Sequence, residues 1–251
     1  VRPDLTDDQL DRYARHIILK EIGGGGQAKL LAANVAVVGA GGLGSPCLMY
    51  LAAAGVGRLV VIDDDTVALS NLQRQVLHGT ADVGRAKTES ARDGLARINP
   101  DVVVTTRAVR LDTGNAAALL GEHDVVADGS DSFATRLAVA TACLALEIPL
   151  VSAAVGPFDG QLATFRGWES DKPCYHCFVG AAPARDDISC ADQGVLGALT
   201  GVLGAMQALE VIREITGFGP TLAGRLLLFD ALSMRMRTLK LAKDPACPAC
   251  H

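Results

Sequence analysis

Four cysteines at two Cys-x-x-Cys spacings, Cys174–Cys177 and Cys247–Cys250, carry the sharpest chemistry in the chain, with 69 residues between the pairs. Two such pairs supply the four thiolates of a closed tetrahedral zinc site. A closed site leaves no position for water, so the metal it implies is structural rather than catalytic. The competing use is redox cycling, for which one pair is enough. His176 and His251 flank the cysteines and are superfluous once four sulfurs are counted. Cys47 and Cys143 fall among Ala and Leu on expected helices and read as small core residues.

A second chemistry lies upstream. Gly39-Ala-Gly41-Gly42-Leu-Gly44 follows a strand-like run and opens a helix-like one. There the glycines permit a tight turn and close approach of backbone to a phosphate, which the helix N-terminus attracts. Asp63 stands 24 residues after Gly39, at the end of the next strand, where a carboxylate binds a ribose hydroxyl. This fingerprint points to an adenine nucleotide and does not separate NAD from ATP. Glycines serving only helix–strand packing are the plainer explanation.

Two cations follow, Arg74 within Ser70-Asn71-Leu72-Gln73-Arg74-Gln75 and Lys87 on the next helix. Two cations at this point suit a triphosphate better than a dinucleotide, although any single surface Arg or Lys is more often a solvated charge. Asp128 and Asp131 sit just past the fourth expected strand, at the end of the sheet where ligands bind. A carboxylate there suits Mg²⁺, which takes one or two protein carboxylates plus substrate phosphates. The bland role for Asp131 is a cap for the helix starting near Ser132. The chain contains no GxxxxGK[ST], HExxH or GxSxG motif.

Strands and helices must hold these groups. Thr6-Asp7-Asp8-Gln9 is a capping box that opens a helix running to about Lys20, and Gly23 to Gly26 reads as a flexible break. Strands are expected at 34–39, 58–63, 102–107, 124–128 and 149–155. Helices are expected at 41–54, 70–77, 83–98, 113–120 and 132–146. Strict alternation of this kind implies a parallel sheet covered on both faces. After residue 155 the pattern changes to strands at 160–166, 224–230 and 234–241 with one helix from about 194 to 216. That is an antiparallel extension of the sheet. The expected fold class is therefore α/β, Rossmann-like and mostly parallel, with helices on both faces, antiparallel strands added and a structural zinc site. The chain reads as one compact unit, 1–155 forming a nucleotide-binding half and 156–251 an antiparallel half with the cysteines. Residues 180–193 are polar and breaker-rich and read as a long loop.

With 251 residues, 49% of them hydrophobic, the chain can bury a core without disulfides and is not a disordered sequence. Its net charge of −5 argues against wrapping nucleic acid or coating an anionic membrane. The longest uncharged stretch, 194–209, is too short for a membrane span and is followed by Glu210 and Arg213. The acidic opening VRPDLTDDQL does not read as a secretory signal, and paired cysteines suit a reducing compartment. A cytoplasmic protein is expected.

Taken in order, GAGGLG, VIDDDTV, SNLQRQ, GRAKTES, DGSDSFATR, PCYHC and CPAC, with the opening RYARHIIL, resemble the ubiquitin-activating-like adenylyltransferase family, nearest its molybdopterin-synthase branch with thiamine-pathway members beside it. The resemblance spans essentially the whole chain. It implies ATP-dependent adenylation of the C-terminal glycine carboxylate of a small ubiquitin-like sulfur carrier ending in Gly-Gly. It also implies that Arg74 and Lys87 hold the phosphates, Asp131 holds Mg²⁺, Asp63 holds the ribose, and Ser70, Asn71, Leu72 and Gln73 line the nucleotide beside Gly39, Gly41, Gly42 and Gly44. By the same resemblance the protein is a homodimer in which Arg15 reaches the γ-phosphate in the neighbouring subunit. Cys190 matches the family's candidate nucleophile, although the acids Asp186, Asp187 and Asp192 nearby oppose a thiolate, and a plain loop thiol is the alternative.

Two departures stand out. Ser132 occupies the position after the metal-site Asp where the family often has Asn, which shortens or removes that contact. No rhodanese-like segment follows the second cysteine pair here, so sulfur is expected from a separate donor. Two other functions compete. A nicotinamide-dependent oxidoreductase accounts for the glycines and Asp63 but leaves Arg74, Lys87, Asp131 and the cysteines unexplained. A non-catalytic partner-binding subunit of the same fold would not need Arg15, Arg74, Lys87 and Asp131 intact.

Overall fold

A computed structural model describes residues 5–180 and 194–250. Eight strands form one sheet in the order β3-β2-β1-β4-β5-β6-β7-β8. Strands β1 (Asn34–Val38), β2 (Arg58–Ile62), β3 (Val103–Arg107), β4 (Val125–Asp128) and β5 (Leu150–Val155) pair in parallel. Strands β6 (Asp159–Phe165), β7 (Arg225–Asp230) and β8 (Arg235–Lys240) extend the sheet antiparallel. The sheet is thus continuous across residue 155, as the sequence implies.

Side-chain alternation divides the core between the two faces. Val35 and Val37 of β1 pack with α3 (Gly23–Ala32), α4 (Gly44–Ala54), α5 (Lys87–Ile98) and the long helix Gly197–Thr216 through Leu30, Leu48, Leu95 and Leu203. Ala36 and Val38 face the other way, toward α6 (Ala116–Leu120), α7 (Phe133–Ala145) and α8 (Tyr175–Val179), meeting Leu120, Val139 and Tyr175. The long helix, α9 here, lies across β4, β5 and β6 and against α4. Small and branched side chains let helices and sheet approach closely, which suits a chain with 4% aromatics.

Several expected elements change in detail. Thr6 and Gln9 do form the reciprocal capping box. The helix it opens is interrupted, however, running as α1 (Asp7–Arg12) and α2 (Ala14–Ile17) about Tyr13. Tyr13 is buried there, and its phenol oxygen accepts from Asn99 Nδ2 at 2.8 Å. Gly23 to Gly26 is not a break but the first turn of α3. Only Gly23 uses a positive φ, while a Cβ on Gly26 would lie 2.8 Å from the Ile22 side chain. The expected helix 70–77 reduces to a 3-10 turn at Leu69–Asn71. Helix 83–98 begins only at Lys87, because Gly84 and Arg85 instead exchange backbone hydrogen bonds with Val67.

Candidate active site

Strand order reverses between β1 and β4, which run parallel side by side while the chain crosses to β2 on one side and β5 on the other. Ligands in such sheets bind outside the C-terminal strand ends at this switch point. A cleft of about 620 Å³ opens there. Its walls carry Gly39, Gly41, Gly42, Asp63, Arg74, Lys87, Asp131 and Ser132, eight of the residues singled out in the sequence.

The glycines act as the spacing implies. Gly39 turns at φ +90°, and a Cβ there would press on the Gly129 carbonyl at 3.2 Å. Gly44 lies behind the cleft rather than in its wall. A Cβ on it would come within 1.7 Å of the Gly39 carbonyl oxygen, so no other residue fits the start of α4. Gly42 lies beside Thr200 of α9, whose hydroxyl donates to the Gly197 carbonyl at 2.7 Å.

The charged wall is tied together. Asp63 Oδ2 accepts from the Ala40 N–H at 2.8 Å and Oδ1 from the Asp65 N–H at 2.9 Å. Lys87 is buried at the first turn of α5, with Nζ 2.6 Å from Asp65 Oδ2 and 4.0 Å from Asp63 Oδ1. Burial pushes the Asp63 carboxyl above its ordinary range, and the Lys87 charge opposes that shift. Arg74 Nη1 donates to the Ser70 carbonyl at 3.0 Å. Ser70, Asn71, Leu72 and Gln73 form the turn that carries Arg74 and lie outside the cleft walls, with Ser70 and Gln73 exposed. Arg15 is exposed on α2 and is likewise outside the cleft of its own chain.

The two aspartates at the β4 end divide their tasks. Asp128 is 1% exposed and committed to structure. It accepts from Ser130 N–H and Oγ–H at 3.0 and 2.7 Å, and its Oδ2 lies 3.5 Å from Arg136 Nη1. The α7 cap is Ser132, whose Oγ accepts from the Thr135 N–H. Asp131 is exposed in the cleft wall and has no ion-pair partner among the described residues, so its carboxylate is free for a cation.

The cysteines converge as their spacing implies. Cys174 Sγ lies 3.7 Å from Cys177 Sγ and 3.6 Å from Cys247 Sγ, and Cys177 Sγ lies 3.5 Å from Cys250 Sγ. Four sulfurs tetrahedral about zinc at ~2.3 Å stand ~3.8 Å apart, whereas a disulfide needs ~2.05 Å. The donor set therefore fits zinc. Burial pushes the Cys174 thiol well above its ordinary range, so a thiolate there calls for a cation. His176 bonds Thr141 Oγ1 through Nε2 at 3.1 Å instead of joining the sulfurs. Cys47 and Cys143 are buried core residues. Cys190 lies outside the described residues.

Sequence reasoning missed His78, Gln75, Asp65 and Arg110. Gln75 is buried in the cleft wall with Oε1 unpartnered, and its place beside Arg74 in the quoted motif was the available signal. Asp65 and Arg110 also line the cleft. Asp65 lies in the VIDDDTV run, but its ion pair with Lys87, 22 residues on, is not revealed by spacing.

Residues 13–249 match the ThiF family. The chain belongs to the ThiF family. Among its relatives it is 47% identical over 247 residues to the SAMP-activating enzyme E1 of Haloferax volcanii, covering 98% of this chain and 90% of that protein. It is 42% identical over 247 residues to the molybdopterin-synthase adenylyltransferase of Escherichia coli, covering 98% of each. Identity to the adenylyltransferase and sulfurtransferase MOCS3 of Bos taurus is 49%, but there the chain spans 55% of the relative's length. The crystal structure of E. coli MccB with MccA-N7isoASN superposes with a TM-score of 0.85 over 96% of this chain and 75% of that one. At 23% identity that likeness shows the fold alone.

Proposed function

We propose that this ThiF-family protein is an adenylyltransferase that uses ATP to activate the C-terminal glycine carboxylate of a small ubiquitin-like sulfur carrier for molybdopterin or a related thiolation pathway. One observation carries the reading: Gly41, Gly42, Arg74, Lys87 and Asp131 face one cleft at the sheet's switch point, in a chain 42–47% identical over nearly its full length to a molybdopterin-synthase adenylyltransferase and a SAMP-activating enzyme E1.

A carrier carboxylate attacks the α-phosphorus of ATP. The new bond is C–O–P, the bond to the β-phosphate oxygen breaks, and the products are acyl adenylate and pyrophosphate. Anion meets anion, so catalysis is chiefly positioning and charge neutralisation. Arg74 and Lys87 neutralise the polyphosphate, the glycine loop offers backbone N–H groups, and Asp63 receives the ribose hydroxyls. Asp131 would hold Mg²⁺, which neutralises phosphate charge when bound. Cys174, Cys177, Cys247 and Cys250 would hold zinc, whose part is to secure the chain after β8. Arg15, exposed and outside its own cleft, would serve the site of a second subunit in a homodimer, and sulfur would come from a separate donor. The protein would work in the cytoplasm, without nucleic acid or membrane. Among the described residues no helix is long and apolar enough to cross a membrane. A nicotinamide enzyme would leave two cations and a free carboxylate unused.

The test is ATP–pyrophosphate exchange with Mg²⁺ and a Gly-Gly-ended carrier. Exchange that requires the carrier supports the reading. No exchange with any such carrier, or tight NADH binding with hydride transfer, removes it.

A further inference from the structure

The glycine loop is fixed at one residue, through both peptides that flank Ala40. The Ala40 N–H is taken by Asp63. The Ala40 carbonyl accepts from Ser45 Oγ at 3.2 Å and lies 3.0 Å from His78 Nε2. The opposite ring nitrogen of His78, Nδ1, lies 2.8 Å from Ser90 Oγ. A carbonyl only accepts, so Nε2 carries the proton, and in the neutral ring Nδ1 accepts from the Ser90 hydroxyl. His78 is 6% exposed, and burial holds its imidazolium form below the ordinary range, consistent with a neutral ring.

The Ala40 C=O and the Gly41 N–H belong to one planar trans peptide and point in opposite directions. With the carbonyl turned inward to His78 and Ser45, the Gly41 N–H is turned outward, and Gly41 lines the cleft. Among the described residues that N–H has no acceptor. Ser90 stands on α5 three residues beyond Lys87, so the imidazole also joins the loop to the helix that carries the buried cation.

We propose that His78 is a positioning residue of the nucleotide site: it orients the Ala40–Gly41 peptide so that the Gly41 N–H meets a nucleotide phosphate, and it sets the loop's distance from Lys87. The inference rests on reading the cleft as an ATP site. A buried histidine serving only the core would stabilise the fold without touching the loop's affinity for phosphate.

Gln and Met have the same length and nearly the same shape, and only Gln can donate to Ala40 and accept from Ser90. His78→Gln and His78→Met are therefore compared with wild type for equilibrium ATP binding and for KM of ATP and of carrier in the exchange assay. His78→Met should raise the Kd and KM for ATP about fivefold to tenfold relative to His78→Gln, the scale of one lost hydrogen bond, and leave the carrier KM unchanged. Equal ATP affinity in both variants and wild type overturns the proposal, as does a rise in ATP and carrier KM together. If neither variant folds, Ser90→Ala keeps the imidazole and removes its orienting hydroxyl. A rise in ATP Kd of about threefold then supports the role, and an unchanged Kd overturns it. Failure of wild type itself to bind ATP would instead overturn the reading of the cleft.

Discussion

The centre of the sheet and its β8 edge solve the same problem by different means. At the C-terminal tips of the central strands β1 and β4, backbone is held by side chains that bond it directly: Asp63 and His78 on Ala40, Gln207 on the carbonyls of Asp128 and Val151, and Arg136 on the Ser130 carbonyl. All four residues of β4 are buried. At the edge every residue of β8 is exposed, including Met236 and Leu239. The segment after β8 is held by Lys243, which donates to the carbonyls of Gly167 and Glu169, and by two cysteines that meet Cys174 and Cys177. An edge with little core of its own can be secured by a metal cross-link. A site that must bind phosphate needs backbone N–H groups aimed by packing and hydrogen bonds. The contrast predicts that damage at the centre alters chemistry and damage at the edge alters stability.

The largest break is Gly44→Ala. Its Cβ would overlap the Gly39 carbonyl at 1.7 Å, so the loop or α4 must move. We expect a loss of at least about 2–3 kcal/mol of stability and of ATP binding, read by urea unfolding and calorimetry. Gly201, inside α9 with nothing within 4 Å of a built Cβ, is the control, and Gly201→Ala should be neutral or stabilising by up to about 1 kcal/mol. Equal effects at the two glycines would contradict the packing account of the loop.

Zinc removal sharpens the other side. Chelation, or Cys247→Ser, should lower the melting temperature and expose amides of β7, β8 and the following segment to hydrogen exchange, while ATP affinity changes by less than about threefold. Well under one zinc per folded chain, or a Cys174–Cys177 disulfide in fresh protein, would count against the site.

A smaller effect concerns pH. Because burial holds the folded-state pKa of His78 below the ordinary value of 6.5, the unfolded chain binds more protons in that window. Stability is therefore full above about pH 6.5 and falls as pH drops through it. Asp63 contributes with the opposite sign and lower down, since its raised pKa relieves its burial as it protonates. His78→Gln should flatten the thermal-stability slope between pH 7.5 and 5.5, and an unaltered slope would contradict the assignment.

Legibility in the sequence follows the same division. The parallel strands, the glycine turn and the cysteine pairs are local patterns, and each lies where its spacing implies. Asp131 could be named from its place after β4, but that Asp128 would be buried against Arg136 and Ser132 would cap α7 depends on packing. Residues 70–77 are helix-compatible but do not form a helix, because local contacts hold a tight turn: Asn71 Oδ1 accepts from the Ala68 N–H, and the Ser70 carbonyl accepts from Arg74. Gly23 to Gly26 suit a break by propensity, yet Gly26 is buried against Ile22 and Thr216, and the turn is helical. His78 left no signal, because its partners Ala40 and Ser90 are 38 and 12 residues away.

Carrier-dependent ATP–pyrophosphate exchange in wild type, Lys87→Met and Asp131→Ala, with melting temperatures measured alongside, tests the central claim most directly. Asp131 is exposed, and Met fills the space of the buried Lys87 while its partners Asp63 and Asp65 border the open cleft, so the account predicts folded proteins whose exchange falls at least a hundredfold while zinc content stays unchanged. Exchange within about threefold of wild type in both folded variants would contradict it.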